Sequence, residues 1–427
     1  MAEIIPFRGI LYNVSKVSGE DTVAPPYDII TPEYKEQLYN KSPYNIVRID
    51  FGKELAGDNG SENKYKRASE FFNLWIKEGV LARSNTPGFY AHEIEYEIKG
   101  KLKKLRGFFS LVRLEELGKG NIHPHECTHS KPKADRLDLM RACNANISPI
   151  FSLYNSPEKK ASEVIKRVTG REKPCIEAKD PDGAIHRLWP IENKNDTESI
   201  QNDLKDRAIF IADGHHRYET ALEFQKEMNK SQESGVRSQE KNSELQNLNS
   251  KLNPWDYVLM FLANISDEGL TILPAHRLVK GIPENPVKIL SEYFNVEEFS
   301  LSEKVEDSIS GYEHAIGFYQ HNNRKQYILK HKGAGLDDLH PALRGLDVTV
   351  LHELIFKKLL KITDIGYEMD IKETMDRVKN GLYDAAFFLN PTKVEDVERV
   401  ALSDVRMPPK STYFYPKLLT GLVINKF

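Results

Sequence analysis

The apolar positions of this chain fall into short runs, some alternating with polar residues and some at helical spacing. Residues 89–98 and 105–114 alternate about Lys99-Gly100-Lys101, which predicts a hairpin. A second hairpin is predicted at 315–318 with 326–330. Strands are expected at 4–7, 45–49, 148–154, 186–190, 207–212, 257–264 and 385–389. Thr31-Pro32-Glu33 reads as a helix start: cap, proline at the first position, acid in the first turn. Tyr65, Ala68, Phe72, Trp75 and Ile76 share one face of a helix over 61–79. Further helices are expected at 133–144, 218–227, 286–294, 347–361 and 370–379. The aromatic, proline-bounded stretch 408–417 reads as ordered. Strands and helices mix without regular βαβ alternation, so the expected class is α+β, with mixed sheets and flanking helices.

Residues 228–253 consist mostly of Lys, Asn, Ser, Gln and Glu, from which no core is built, so they read as a disordered insertion. The pattern divides into an N-terminal α+β region, 1–280, and a C-terminal α+β region, 281–427, whose tail is expected to close over the site.

Composition narrows the class. The 427 residues hold 60 Lys and Arg against 63 Asp and Glu, a net charge of −3. That balance argues against a nucleic-acid coat. Three cysteines, Cys127, Cys143 and Cys175, make no disulfide framework or CxxC pair, which points to a reducing compartment. The first residues lack a signal-peptide pattern, and no apolar run reaches 18 residues. The expectation is a cytoplasmic protein without nucleic-acid or membrane partners.

Two polar clusters carry candidate chemistry. The apolar run at 207–212 leads directly into Asp213-Gly214-His215-His216-Arg217-Tyr218 and a helix. A strand–loop–helix junction gathers free N–H groups and the positive helix end in one place. Gly214 allows a tight turn or close approach of a ligand. His215, His216 and Arg217 add donors, which together suit a phosphate. Asp213 and Glu219 are candidates for Mg²⁺ or for taking a proton. The competing reading is a plain turn with solvated histidines.

The second cluster is His123-Pro124-His125-Glu126-Cys127-Thr128-His129, followed by Lys131, Lys133, Asp135 and Arg136. His125 to His129 matches the HExxH zinc pattern, which works only on a helix. Pro124 and Pro132 leave barely two turns, so a polar loop facing the phosphate site is preferred and any metal stays unassigned. A solvated loop is the alternative. Asp28 in the rigid Ala24-Pro25-Pro26-Tyr27-Asp28 loop, His276 and Arg277 after an apolar strand, and Lys410 beside Ser411-Thr412 are lesser candidates.

The stretches APPYDII (24–30), SPYNIVRID (42–50), HECT (125–128), KPKADRLDLMRACNANISPIFSLY (131–154), ADGHHRYETAL (212–222), LPAHR (273–277) and RMPPKSTYFYPKLLTGL (406–422) resemble the DUF ten-fifteen family of bacterial and archaeal proteins, which carries no established activity. The DGHHR box is also similar to that of ParB-like and sulfiredoxin-like proteins, free-serine kinases among them. That resemblance implies a nucleotide-phosphate site embedded in a larger fold. Gly214, His215, His216 and Arg217 would contact phosphate, with Asp213 as a metal or catalytic group. No reactive cysteine lies beside the box, so a sulfiredoxin activity is not expected.

The resulting expectation is a phosphoryl-transfer enzyme using ATP or ADP, with Mg²⁺, on a small hydroxyl substrate, free serine being one. Asp213, Glu126, His125 and Asp28 are the catalytic candidates. Arg136, His276, Arg277 and Lys410 join the box as phosphate contacts. The alternatives are a phosphatase or nucleotide hydrolase acting on small phosphorylated metabolites, and a nucleotide-binding regulator without turnover.

Overall fold

The computed structural model describes residues 2–126, 130–234, 253–299 and 304–427. The chain divides into two compact units. The first comprises Met1–His123, Thr128–Leu270 and Pro416–Phe427; the second comprises Pro124–Cys127 and Thr271–Tyr415.

In the first unit a mixed sheet joins nine described strands. Its order is Ile122–Pro124, Ile209–Asp213, Ile150–Tyr154, Tyr257–Asn264, Lys101–Arg113, Phe89–Ile98, Ile185–Ile191 and Ile176–Lys179, with Ile4–Ile5 also pairing with Lys101–Arg113. Tyr257–Asn264 runs parallel to Ile150–Tyr154 and antiparallel to Lys101–Arg113. Every residue of that strand is buried, which is why its sequence is an almost unbroken apolar run.

Helices close the sheet through one apolar stripe each. Ala161, Val164, Ile165 and Val168 do so from Lys160–Arg171. Tyr218, Ala221, Phe224 and Met228 do so from His215–Glu233. The helix Ser130–Cys143 serves two cores: Leu137 and Met140 face the sheet, while Leu139 and Cys143 join Phe72 and Trp75 of the helix Lys64–Lys77.

The second unit is built on an antiparallel sheet of six described strands: Phe294–Phe299, Gln326–His331, Ala315–Gln320, Ala385–Phe388, His276–Val279 and Ile365–Glu368. Val305 and Ile309 from one helix and Val378 from another pack against Ala386 and Phe388. The chain is thus α+β, with mixed sheets and flanking helices.

The sequence-drawn boundary at 280/281 falls after His276–Val279, which is hydrogen-bonded into the second unit's sheet. Pro416–Phe427 belongs to the first unit, where Asn425–Lys426 pairs with Ala145–Asn146.

Two local expectations are corrected. The stretch 45–49 is not a strand, because Val47–Asp50 is a helical turn. Asn45 decides this: its side-chain oxygen accepts from the Val47 N–H at 3.0 Å, and its amide donates to the carbonyls of Asp21 and Val23. A local Asx-type side-chain bond overrides the β-preference of Ile46, Val47 and Ile49.

The helix after the box also continues to Glu233, past the expected start of the insertion at 228. Met228 extends the buried spacing of Ala221 and Phe224, and Trp255 Nε1 donates to Asn229 Oδ1 at 2.9 Å. The rest of the expected insertion, 235–252, lies outside the described residues. No helix among the described residues is long and apolar enough to cross a membrane.

Candidate functional site

The box begins where Ile209–Asp213 leaves the sheet. Ile209, Phe210, Ile211 and Ala212 are buried, so the strand ends where its first polar residue, Asp213, emerges. Gly214 then takes φ +101°, a left-handed conformation that L side chains rarely adopt. A Cβ there would lie 3.0–3.1 Å from the Arg217 guanidinium. The turn therefore needs glycine twice over, for its backbone and for the approach of Arg217.

The 19-residue helix His215–Glu233 starts at once, and its first bond runs from the Tyr218 N–H to the Gly214 carbonyl. The N–H groups of His215, His216 and Arg217 precede that bond and lie at the positive end of the helix. Tyr218 anchors the turn from below, its buried hydroxyl donating to the Glu115 carbonyl at 2.7 Å and accepting from the Glu115 N–H at 2.9 Å.

Cations converge on this helix end. Lys417 Nζ lies 2.8 Å from Asp213 Oδ2. Arg217 Nη2 lies 3.5 Å from Asp213 Oδ1, and its Nη1 donates to the Pro149 carbonyl. One turn into the helix, Glu219 pairs with Lys133 at 2.8 Å.

Arg217, Arg136, Asp50, Ser148 and Thr220 border one cavity of about 30 Å³. That is room for one or two waters. Tyr27 lies within electrostatic reach of this group. Burial raises its phenol, the Arg136 and Arg217 cations oppose the rise, and Asp28 and Asp50 add to it.

Arg136 is held differently from Arg217. It is buried, pairs with Asp50 at 3.0 Å and Asp135 at 2.6 Å, and stacks 4.1 Å over the Tyr27 ring. Asp135 also receives Lys64 at 2.8 Å and the Tyr65 hydroxyl at 2.9 Å. Burial alone would raise the Asp135 carboxyl, but Arg136 and Lys64 outweigh it and hold the group at about 2. The Ser148 hydroxyl closes the chain, donating to Asp50 Oδ1 at 2.6 Å. Arg136 thus ties the turn Val47–Asp50 to the second turn of the helix Ser130–Cys143. Asp28 is exposed in the single turn Tyr27–Ile29.

The structure therefore brings Asp213, Gly214, His215, His216, Arg217 and Arg136 together in the first unit. The remaining candidates, His125, Glu126, His276, Arg277 and Lys410, all belong to the second unit. There His125, Glu126 and Arg277 bond to the loop 408–412, which carries Lys410. His125 is buried, with Nε2 2.9 Å from Thr412 Oγ1. Glu126 Oε1 accepts from the Ser411 N–H at 3.1 Å.

Arg277 is fully buried. It donates Nη1 to the Ala275 carbonyl, Nη2 to the Lys410 carbonyl at 2.9 Å, and Nε to His352 Nε2 at 3.1 Å. Each of its nitrogens serves the protein, so this arginine braces the loop from within. His276 is buried too, with Nδ1 accepting from the Leu389 N–H at 3.3 Å. Lys410 is exposed and adopts φ +56°.

Cys127, Thr128 and His129 lie outside the described residues, and the HExxH match with them. Among the described residues no group of three or more His, Cys, Asp or Glu is placed to hold a metal ion. A Mg²⁺ at the box would be held chiefly by a nucleotide's own phosphates and water, with Asp213 as the carboxylate at hand.

Sequence reasoning did not single out Lys417, Asp50 or Lys64. The first two lie inside the stretches 406–422 and 42–50, but nothing local to either names its partner.

Residues 4–349 match the family described as Protein of unknown function (DUF1015). No curated protein matches the chain. Among solved structures, a conserved hypothetical protein from Pyrococcus furiosus is similar at 16% identity. The likeness covers 71% of this chain and 92% of that one, with a TM-score of 0.34. A free serine kinase in complex with AMP is similar at 15% identity over 72% of this chain and 98% of that one, TM-score 0.34. SbnI with C-terminal truncation from Staphylococcus aureus is similar at 11% identity over 73% and 85%, TM-score 0.32. At these scores the likeness carries no assignment of function.

Proposed function

The chain belongs to the family of proteins of unknown function DUF1015, and we propose that its first unit binds the phosphates of ATP or ADP at Asp213–Arg217 and transfers a phosphoryl group to a small hydroxyl substrate. The observation that carries the reading is the turn itself. A left-handed glycine leads into a 19-residue helix, with Arg217 and Lys417 both at its first carboxylate. Helix N–H groups and cations at one point favour a phosphate over any neutral ligand.

Phosphoryl transfer asks for little more than positioning and charge stabilisation. In this reading the backbone N–H groups of His215 and His216 receive the phosphate oxygens, the His216 imidazole adds a side-chain donor, and Lys417 and Arg217 balance their charge. Asp213 would orient the acceptor hydroxyl and take its proton as the new P–O bond forms and the P–O bond to the nucleotide breaks, the departing ADP or AMP keeping the electron pair. Mg²⁺ bound with the nucleotide would add charge neutralisation. Free serine is the first acceptor to try, because the box is spelled as in free-serine kinases.

The test is incubation of the full chain with ATP or ADP, with and without serine, followed by phosphorus NMR. Phosphoserine supports the reading. Nucleotide loss independent of serine replaces it with a hydrolase. Binding without turnover leaves a nucleotide-responsive protein, and absence of binding removes the phosphate site itself.

A further inference from the structure

A second concavity lies within the first unit and shares no lining residue with the cavity beside the box. Its volume is about 390 Å³, in the range of small-molecule pockets. One wall is a single face of the helix Pro32–Lys41, where Tyr34, Gln37, Leu38 and Lys41 recur at i, i+3, i+4 and i+7. The floor is Val23, Ala24 and Leu419, held by reciprocal bonds between the backbones of Ala24 and Thr420 at 3.2 and 2.8 Å. The opposite wall is Lys179-Asp180-Pro181, the turn leaving the strand Ile176–Lys179.

Asp180 is set in place from behind. Its Oδ1 accepts from the Ala184 N–H at 2.8 Å, and its Oδ2 lies 3.3 Å from Nε2 of the fully buried His186. His186 Nδ1 lies 3.2 Å from Nε2 of His92, which is equally buried. One proton order satisfies this line. His186 donates from Nε2 to the carboxylate, His92 donates from Nε2 to His186 Nδ1, and His92 Nδ1 is left as a bare acceptor. His92 Nδ1 indeed has no partner among the described residues. Two buried imidazoles thus fix one carboxylate at a pocket wall, an arrangement costly to maintain in a mere surface turn.

The charges around it differ in availability. Lys41 is satisfied locally, donating to the Glu20 carbonyl at 2.9 Å and pairing with Glu20 and Asp21. Lys179 is exposed, next to Asp180 in sequence. The Tyr34 phenol, which lines the same concavity as Asp180, is raised by burial and by the nearby Asp180 and Asp182. The pocket therefore offers one oriented anion, one accessible cation and an aliphatic floor.

We propose that this pocket is a second ligand site that takes a small zwitterion of the α-amino acid class with an apolar side chain. Its ammonium rests on Asp180, its carboxylate on Lys179, and its side chain on Val23, Leu38 and Leu419. The proposal does not depend on the reaction assigned to the box.

Saturation-transfer NMR on the full chain tests it, with L-leucine and L-phenylalanine as probes and isoamylamine and isocaproate as the single-charge controls. The amino acids should bind, and each control should bind at least about tenfold more weakly, as expected for loss of one charge-assisted contact. Lys179→Ala should weaken leucine and isocaproate but not isoamylamine. Asp180→Asn should weaken leucine and isoamylamine but not isocaproate. Leu38→Trp should fill the pocket and abolish all transfer. Because Lys179 is exposed, its variant decides the matter even where the others lower the melting temperature. Equal binding of controls and amino acids, wild-type binding in the Lys179 variant, or no transfer from either amino acid would overturn the proposal.

Discussion

Lys417 Nζ sits 2.8 Å from Asp213 Oδ2, so the C-terminal segment of the first unit places a cation on the carboxylate that opens the DGHHR helix. Under the proposed function this ammonium also meets the incoming phosphate. Lys417→Ala is therefore expected to weaken ATP binding by about tenfold, the equivalent of one charge-assisted hydrogen bond. Isothermal titration reads this directly, and an unchanged affinity would assign Lys417 to holding Asp213 alone.

Gly214 tests the turn. Alanine there would keep φ near +101° only under strain and would press on the Arg217 guanidinium. A loss of about 1–2 kcal/mol in unfolding free energy is expected from the backbone alone. Nucleotide affinity should fall with it, since the helix end and Arg217 would both shift. Urea denaturation and titration on the same preparation separate the two effects.

Arg136 makes a contrasting case. It is buried between Asp50 and Asp135, so Arg136→Met removes the cation the two carboxylates share, leaving Asp50 with the Ser148 hydroxyl and Asp135 with Lys64 and the Tyr65 hydroxyl. The expected cost is about 3–5 kcal/mol of stability. Any loss of nucleotide binding should follow the loss of fold and be regained on adding a stabilising osmolyte. A variant of wild-type stability that binds no nucleotide would instead make Arg136 a direct phosphate contact.

The second unit carries a pH prediction. Burial, reinforced by the Arg277 cation, lowers His276 to about 4 and His352 to about 3. Both values lie below the 6.5 of an unfolded histidine, so each imidazole stays neutral in the fold while the unfolded chain takes up a proton. The stability they contribute is complete above pH 6.5 and is lost as pH falls through about 4. For His276 the loss amounts to roughly 3 kcal/mol. Denaturant midpoints measured across this window should fall with pH in the wild type and fall less in His276→Asn. Parallel slopes would contradict the assignment.

Much of the fold was legible because its strongest signals are local. The hairpin at Lys99-Gly100, the cap at Thr31-Pro32 and the apolar run 257–264 all appear as expected. Where reading failed, a longer-range or side-chain effect won. Asn45 turned a β-branched stretch into a helical turn, and Met228 carried a helix into a stretch of polar composition. The helices Lys160–Arg171, Lys194–Leu204 and Val394–Leu402 went unread, although Ala161, Val164, Ile165 and Val168 and, later, Val394, Val397, Val400 and Ala401 recur at helical spacing among charged residues.

The box itself was legible from its glycine and histidines. What its neighbours do was not. Arg277 and His125 look like site residues in sequence, and only the geometry turns them inward to brace the loop 408–412. Lys417 reaches Asp213 across some two hundred residues, a contact that no spacing rule announces.

The central claim is that the turn at Asp213–Arg217 receives nucleotide phosphate. Titration calorimetry of ATP into the wild type and into His216→Ala tests it most directly, since His216 lies in the first turn of the helix and is only half-buried. The account predicts saturable binding to the wild type, about tenfold or more weakened in the variant, at an unchanged melting temperature. No heat of binding to the wild type, or equal affinity in the two proteins, would contradict it.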